Sequence, residues 1–284
     1  MVAGPTLLAE SGFLAAPADP AAVTAVIVWL AAAVPALVWA CLLWRLARPA
    51  AAGASTAAAL LAGAVLAAWP ASQANQALFD GIADIAGDAT ARQIVPGVLV
   101  PVVEEAAKAA VIALLVVMMP ERNAAIGVGA VMGAAVGLGF TAAENVQYLT
   151  LAAIQGGRAG LWRACYVRTL LGGLQHATFA AATGAGFAYA RQAQTVKRRW
   201  LGATLGLLAA IAQHVLWNSC GARALTDTLC GAAQPGAACA ASPEPVALFL
   251  IAPLISLVFV VPAVAALYFI VKRLAGTRAS SSLV

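Results

Sequence analysis

The apolar runs of this chain leave it one kind of surroundings. Stretches long enough to cross the hydrocarbon core of a bilayer as an α-helix, about 20 largely apolar residues, recur at 23–44, 56–79, 94–119, 124–154, 164–190, 200–222 and 246–271. Inside lipid the backbone must satisfy its own polar groups, so such runs fold as helices. The expected fold class is all-α: a polytopic integral membrane helical bundle of about seven spans. Composition excludes an ordinary soluble enzyme, because 63% of the residues are hydrophobic and only 10% charged, against roughly 25% charged in soluble domains. The polar breaks are too short for a soluble domain. We expect an amino-terminal segment at 1–22, one membrane domain at 23–271 with its motif-bearing core at 94–222, and a tail at 272–284.

Orientation follows from Lys and Arg. Arg45, Arg48, Arg122, Arg191, Lys197, Arg198, Arg199, Lys272, Arg273 and Arg278 fall on one side, and Arg92, Arg158, Arg163 and Arg223 on the other. This bias puts the amino terminus outside and the carboxyl terminus in the cytoplasm. The net charge of +5 then reports topology, and the expected partner is the lipid bilayer, with no nucleic acid. No basic residue precedes Arg45, so the first span lacks the n-region of a secretory signal and is expected to be retained.

Smaller features add detail. Asp80, Asp84 and Asp88 are spaced for one helix face and read as a solvated acidic stripe. Cys230 and Cys239 either form a disulfide, if their loop meets an oxidising compartment, or stay as thiols. Gly129, Gly133 and Gly137, and again Gly202 and Gly206, recur every four positions and allow close helix approach. The fourth to sixth spans are thus expected at the centre of the bundle.

That centre carries charge. An ionisable side chain at the bilayer midplane costs roughly 2.5–3.5 kcal/mol on insertion scales, so several in one bundle must pair or face water. The third run contains Glu104, Glu105 and Lys108, the fourth Glu144 and Asn145, the fifth Arg168 and His176, and the sixth His214 and Asn218. At 1.5 Å rise per residue, Glu104, Glu144, His176 and His214 all fall roughly 12–18 Å below the outer surface. Both histidines of the chain and all three intramembrane carboxylates share one layer. Glu104 and Lys108, four apart, are expected to pair on one face, and His214 and Asn218 to project into one cavity. Pro101 removes the hydrogen bond to the Gly97 carbonyl and is expected to kink the third helix or admit water.

These residues resemble a known family. EEAAK at Glu104–Lys108 looks like the EExxK signature of PrsW-type intramembrane proteases, and FTAAEN at Phe140–Asn145 looks like their FxxxEN. His176 and HVLWN at His214–Asn218 fit the remaining motifs in order. The related CAAX prenyl endopeptidases and bacteriocin-immunity proteases carry Arg and His where this chain has Lys108 and Glu144, which favours the PrsW branch and argues against a prenylated substrate. The resemblance implies a multi-pass protein of a bacterial plasma membrane that cleaves a membrane-protein substrate, such as an anti-sigma factor.

Peptide hydrolysis needs a nucleophilic water, a base and donors for the oxyanion. Glu104 is expected as general base, Glu105 or Glu144 as the group holding water and partners, and His214 with Asn218 as oxyanion donors. His176 either orients the water or protonates the leaving amine. Lys108, Asn145 and Arg168 support these groups. This form needs no cofactor. A metal form uses Glu144, His176 and His214 as zinc ligands and a remaining glutamate as base. The alternative from another class is an ion-coupled transporter using the same buried residues, but the sequence has no inverted repeat.

Overall fold

The computed structural model describes residues 20–46, 53–120, 125–230 and 244–281. Among them there are helices and connecting turns only. Five helical stretches are long and apolar enough to cross a membrane: Thr24–Arg45, Ser55–Ala86, Ile126–Gln192, Val196–Leu229 and Ala247–Ala266. The expected third run forms a helix, α5 (Val100–Met118), but Glu104, Glu105 and Lys108 set its composition apart from the other five. The fourth and fifth runs join in one 67-residue stretch. At about 1.5 Å per residue it is far too long for a single crossing.

That stretch folds back on itself. Its first part, α6 (Ile126–Ala164), is broken at Gly157, whose φ of 56° only glycine adopts freely. A wide π-helical turn at Cys165–Leu171 and a short break lead into α7 (Gln175–Gln192). Gly129 faces the Gly184 backbone, Gly133 faces Ala180 and Gly137 faces His176. The falling partner numbers make α6 and α7 antiparallel. A Cβ on Gly133 would stand 2.1 Å from the Ala180 carbonyl oxygen, so glycine is what lets these backbones touch. Helix α8 (Val196–Leu216) returns along α7 in the same manner, with Gly202 and Gly206 against Gly186.

Helix α6 is the axis of the fold, buried around most of its circumference from Ile126 to Thr141, as expected for a helix enclosed by others. Around it lie α1 (Pro20–Leu46), which packs Ala36 and Ala40 beside Ala130 and Ala134, and the segment α2 (Gly53–Ala62) to α3 (Ala68–Ala86). The π-helical turn Gly63–Ala67 between α2 and α3 sets Gly63 against Val136. On another flank α5 contributes Val111, Ile112 and Val116 to a core shared with Val136, Phe140 and Ala180. After α8 come α9 (Ala222–Cys230) and α10 (Ala252–Ser281). Leu225, Leu229 and Ala252 there close a core over Phe179 and Trp217.

The acidic stripe does not form one face. Helix α3 ends at Ala86, and Gly87, at φ 83°, turns the chain before α4 (Asp88–Ile94) begins. Asp88 therefore starts a new helix and pairs with Arg92 at 2.8 Å, while Asp80 accepts from Gln76. Cys239 lies outside the described residues, and the disulfide expectation with it.

Candidate active site

Four helices converge where α5 begins. The turn Val95–Leu99 is π-helical and opens into α5 through Pro101. Pro101 has no N–H to give to the carbonyl one turn back. Two side chains from the turn Trp217–Gly221 that follows α8 take up the exposed carbonyls: Asn218 Nδ2 donates to Pro96 O at 3.0 Å, and Ser219 Oγ to Gly97 O at 3.1 Å. The π-helical turn before Pro101 is thus latched to the end of the sixth run. It holds Glu104, Glu105 and Lys108, all buried, opposite α7 and α8.

Lys108 is the hub. Its Nζ lies 2.5 Å from Glu105 Oε1, 2.9 Å from His176 Nδ1 and 4.2 Å above the Phe140 ring. The expected Glu104–Lys108 pair is not formed. On a helix the i,i+3 neighbour is as close as the i,i+4 one, and Glu105 faces His176 and His214 where Lys108 also points. An ammonium against Nδ1 leaves that nitrogen as acceptor, so in the neutral ring the proton is on Nε2, 3.1 Å from Glu144 Oε2. Glu144 is also ion-paired with Arg168 at 2.6 Å, and Arg168 Nε donates to Asn145 Oδ1 at 3.1 Å. The Arg168 guanidinium lies 3.7 Å over the Tyr148 ring.

His214 is held from the other side. Its Nδ1 lies 2.9 Å from Glu105 Oε1. A carboxylate only accepts, so Nδ1 carries the proton and Nε2 of the neutral ring presents its lone pair. That Nε2 stands 3.9 Å from Glu104 Oε2, beyond direct hydrogen-bond range. Glu104 Oε2 is buried with no hydrogen-bond partner among the described residues, while Oε1 accepts from Asn75 Nδ2 at 3.0 Å. Phe179 stacks on His214 at 4.9 Å and 21°, and Phe140 lies 5.3 Å from His176. The two imidazoles meet edge to face at 4.9 Å.

The structure therefore brings Glu104, Glu105, Glu144, His176 and His214 into one cluster, with Lys108, Arg168 and Asn145 behind them. It places Asn218 apart, its amide committed to Pro96. Part of the cluster has the donors of a metal site. One ligand atom each from Glu104, His176 and His214 lies within 4.8 Å of the others. Glu104 Oε2 and His214 Nε2 fit as ligands, and His214 has the carboxylate behind Nδ1 that metal-bound histidines need. His176 fits if its Nε2 exchanges Glu144 for the ion. The grouped carboxylate is Glu104, where the sequence reading had Glu144.

Sequence reasoning missed Asn75 and Phe179, and named Phe140 only as the first residue of the FTAAEN motif. The signal for Asn75 was SQANQ at Ser72–Gln76, a polar patch inside an otherwise apolar run.

Comparison with known families gives one match. The family described as PrsW family intramembrane metalloprotease matches residues 51–267, well over half of the chain and all of the residues in the cluster. No curated relative and no solved structure matches the chain.

Proposed function

Because the chain belongs to the PrsW family of intramembrane metalloproteases, we propose that it is an endopeptidase that hydrolyses a peptide bond of a membrane-protein substrate, with Glu104 activating the water. One observation carries the choice of base. Glu105 and Glu144 each face a cation, Lys108 and Arg168. Glu104 has no Lys or Arg within ion-pair distance among the described residues, and its Oε2 is unpaired, 3.9 Å from the His214 lone pair. A gap of that size is spanned by one oxygen atom.

Water held there gives a proton to Glu104 Oε2 as its oxygen attacks the carbonyl carbon. His176 Nε2–H, at the opposite edge, turns to the developing oxyanion. The carbon–nitrogen bond then breaks with its electron pair going to nitrogen, and Glu104 returns the proton to the leaving amine. Glu105 keeps His214 in the tautomer that accepts from water. Arg168 and Glu144 orient His176 from Nε2, and Lys108 does so from Nδ1.

A second reading is favoured by the ligand spacing and by the family's description. Glu104, His176 and His214 would hold a zinc ion, which when bound polarises water and carbonyl. Glu144, released from His176, would then be the carboxylate left to take the water's proton.

The topology that accompanies either form has seven crossings. The 67-residue stretch supplies two, and α5 a charged one lined by the other helices, with the amino terminus outside. The protein would then act in a bacterial plasma membrane, on a single-span protein such as an anti-sigma factor.

The test is to co-express tagged single-span membrane proteins with wild type, Glu104→Gln and His214→Ala and to look for cleavage fragments. Wild type cuts and both variants do not. Cutting by Glu104→Gln would remove Glu104 as the base.

A further inference from the structure

Helix α3 belongs to a part of the chain where no family-type motif was recognised, yet it sends one side chain into the cluster. Asn75 Nδ2 donates to Glu104 Oε1 at 3.0 Å. Among the described residues it is the only side chain that donates a hydrogen bond to this carboxylate. The acceptor fixes which end of the amide is nitrogen, since two oxygens would repel. The remaining Oδ1 is shut off from solvent and has no hydrogen-bond partner among the described residues.

This arrangement differs in kind from those of the other two carboxylates. Glu105 and Glu144 are each held by a full positive charge. Glu105 takes Lys108 and His214 on Oε1 alone and also leaves Oε2 unpaired among the described residues, but its charge is offset by the ammonium, as that of Glu144 is by Arg168. A neutral amide fixes the plane of the group through one oxygen and leaves the other with its full capacity to accept. Asn75 meets the cluster through Nδ2, and among the described residues that contact with Glu104 is its side chain's one hydrogen bond.

We propose that Asn75 is a positioning residue for peptide hydrolysis, anchoring Glu104 through Oε1 so that Oε2 points to the water facing His214. This rests on the peptidase reading above. It adds a residue of α3 to a site otherwise built from α5, α6, α7 and α8 and their connecting turns, so that movement of α3 against α5 would reach the base directly.

The probe is a quenched-fluorescent transmembrane peptide that wild type cleaves in detergent, drawn from a panel of single-span sequences. Asn75→Leu removes the amide at similar volume, and Asn75→Asp keeps the size but removes the donor. Each is first checked for a single elution peak and a wild-type unfolding temperature. Both are expected to lower kcat by about 10- to 100-fold, as loss of a supporting hydrogen bond does, with KM within about twofold of wild type. Wild-type kcat in either folded variant, or a change in KM alone, overturns the proposal. Failure of both to fold also overturns it, since Asn75 would then be structural. Glu104→Gln is run alongside. If it is inactive while both Asn75 variants keep full activity, this inference alone falls. If it cuts like wild type, or if wild type cuts nothing, the peptidase reading falls and this inference with it.

Discussion

Glu104 Oε2 and His214 Nε2 face each other across 3.9 Å, and each side chain is fixed from behind, Glu104 by Asn75 and His214 by Glu105. Two acceptors held apart in this way define a place for a donor or a cation. Which it receives is open to a direct measurement. With water as occupant, incubation with 1,10-phenanthroline leaves the cleavage rate unchanged, and the purified protein carries no zinc in proportion to chain. Loss of cleavage on chelation, restored by added zinc, would instead assign Glu104, His176 and His214 as ligands. Zinc retained by wild type and lost in His176→Ala would say the same without reference to activity.

The Lys108–Glu105 pair is fully buried on both sides. Breaking such a pair by removing one partner leaves a stranded charge and costs about 3–5 kcal/mol, whereas replacing both partners is often nearly neutral. Lys108→Met is therefore expected to unfold at markedly lower denaturant concentration than wild type in detergent. The double variant Lys108→Met with Glu105→Gln is expected to recover most of that loss, because the amide oxygen still accepts from His214. Activity does not recover, since His176 has lost the group that sets its tautomer. Stability restored without cleavage is the outcome to look for.

Gly137 lets α7 approach α6 at His176 by having no side chain. A Cβ there would lie 2.2 Å from the His176 carbonyl oxygen, whereas one on Gly156 would meet nothing within 4 Å. Gly137→Ala is expected to push α7 away from α6, costing about 1–3 kcal/mol as overpacking does and moving His176 from Lys108 and Glu144. Gly156→Ala is expected to behave as wild type. A Gly137→Ala enzyme with unchanged cleavage and unfolding temperature would show that the helix pair yields at this point without moving the site.

How much of this was legible in advance depends on the kind of interaction. The all-helical class and the five membrane-length apolar stretches were legible because lipid demands long apolar runs. The cluster was legible because ionisable residues have few reasons to lie within those runs, and equal depth on successive helices made them neighbours. Partner choice was not. Periodicity allowed Lys108 to reach either Glu104 or Glu105, and what decides between them is the position of His176 and Phe140 on other helices. Asn75 was hidden for the same reason: SQANQ marks a polar patch but names no partner for it, and only the approach of α3 to α5 reveals the target. The acidic stripe is solvated as expected, with all three aspartates exposed, but Asp88 leaves the shared face because a four-residue spacing assumes unbroken helix and Gly87 breaks it.

Asn218 offers the sharpest contrast between sequence and structure. Its spacing from His214 suggested an oxyanion donor. The π-helical turn Trp217–Gly221 instead directs its amide to Pro96 O, one of the carbonyls exposed where Pro101 interrupts hydrogen bonding. The two roles predict different numbers. Removing an oxyanion donor costs about 10²–10³ in kcat. Removing a latch at this exposed position loses one hydrogen bond, which costs about 0.5–1.5 kcal/mol of stability. Asn218→Ala is thus expected to unfold more easily while kcat falls by less than about tenfold. Ser219→Ala, which frees the neighbouring Gly97 carbonyl, is expected to behave the same way, and the double variant to lose more stability than either. A kcat loss of a hundredfold in Asn218→Ala alone, with wild-type stability, would return Asn218 to the reacting centre and require the turn after α8 to rearrange when substrate binds.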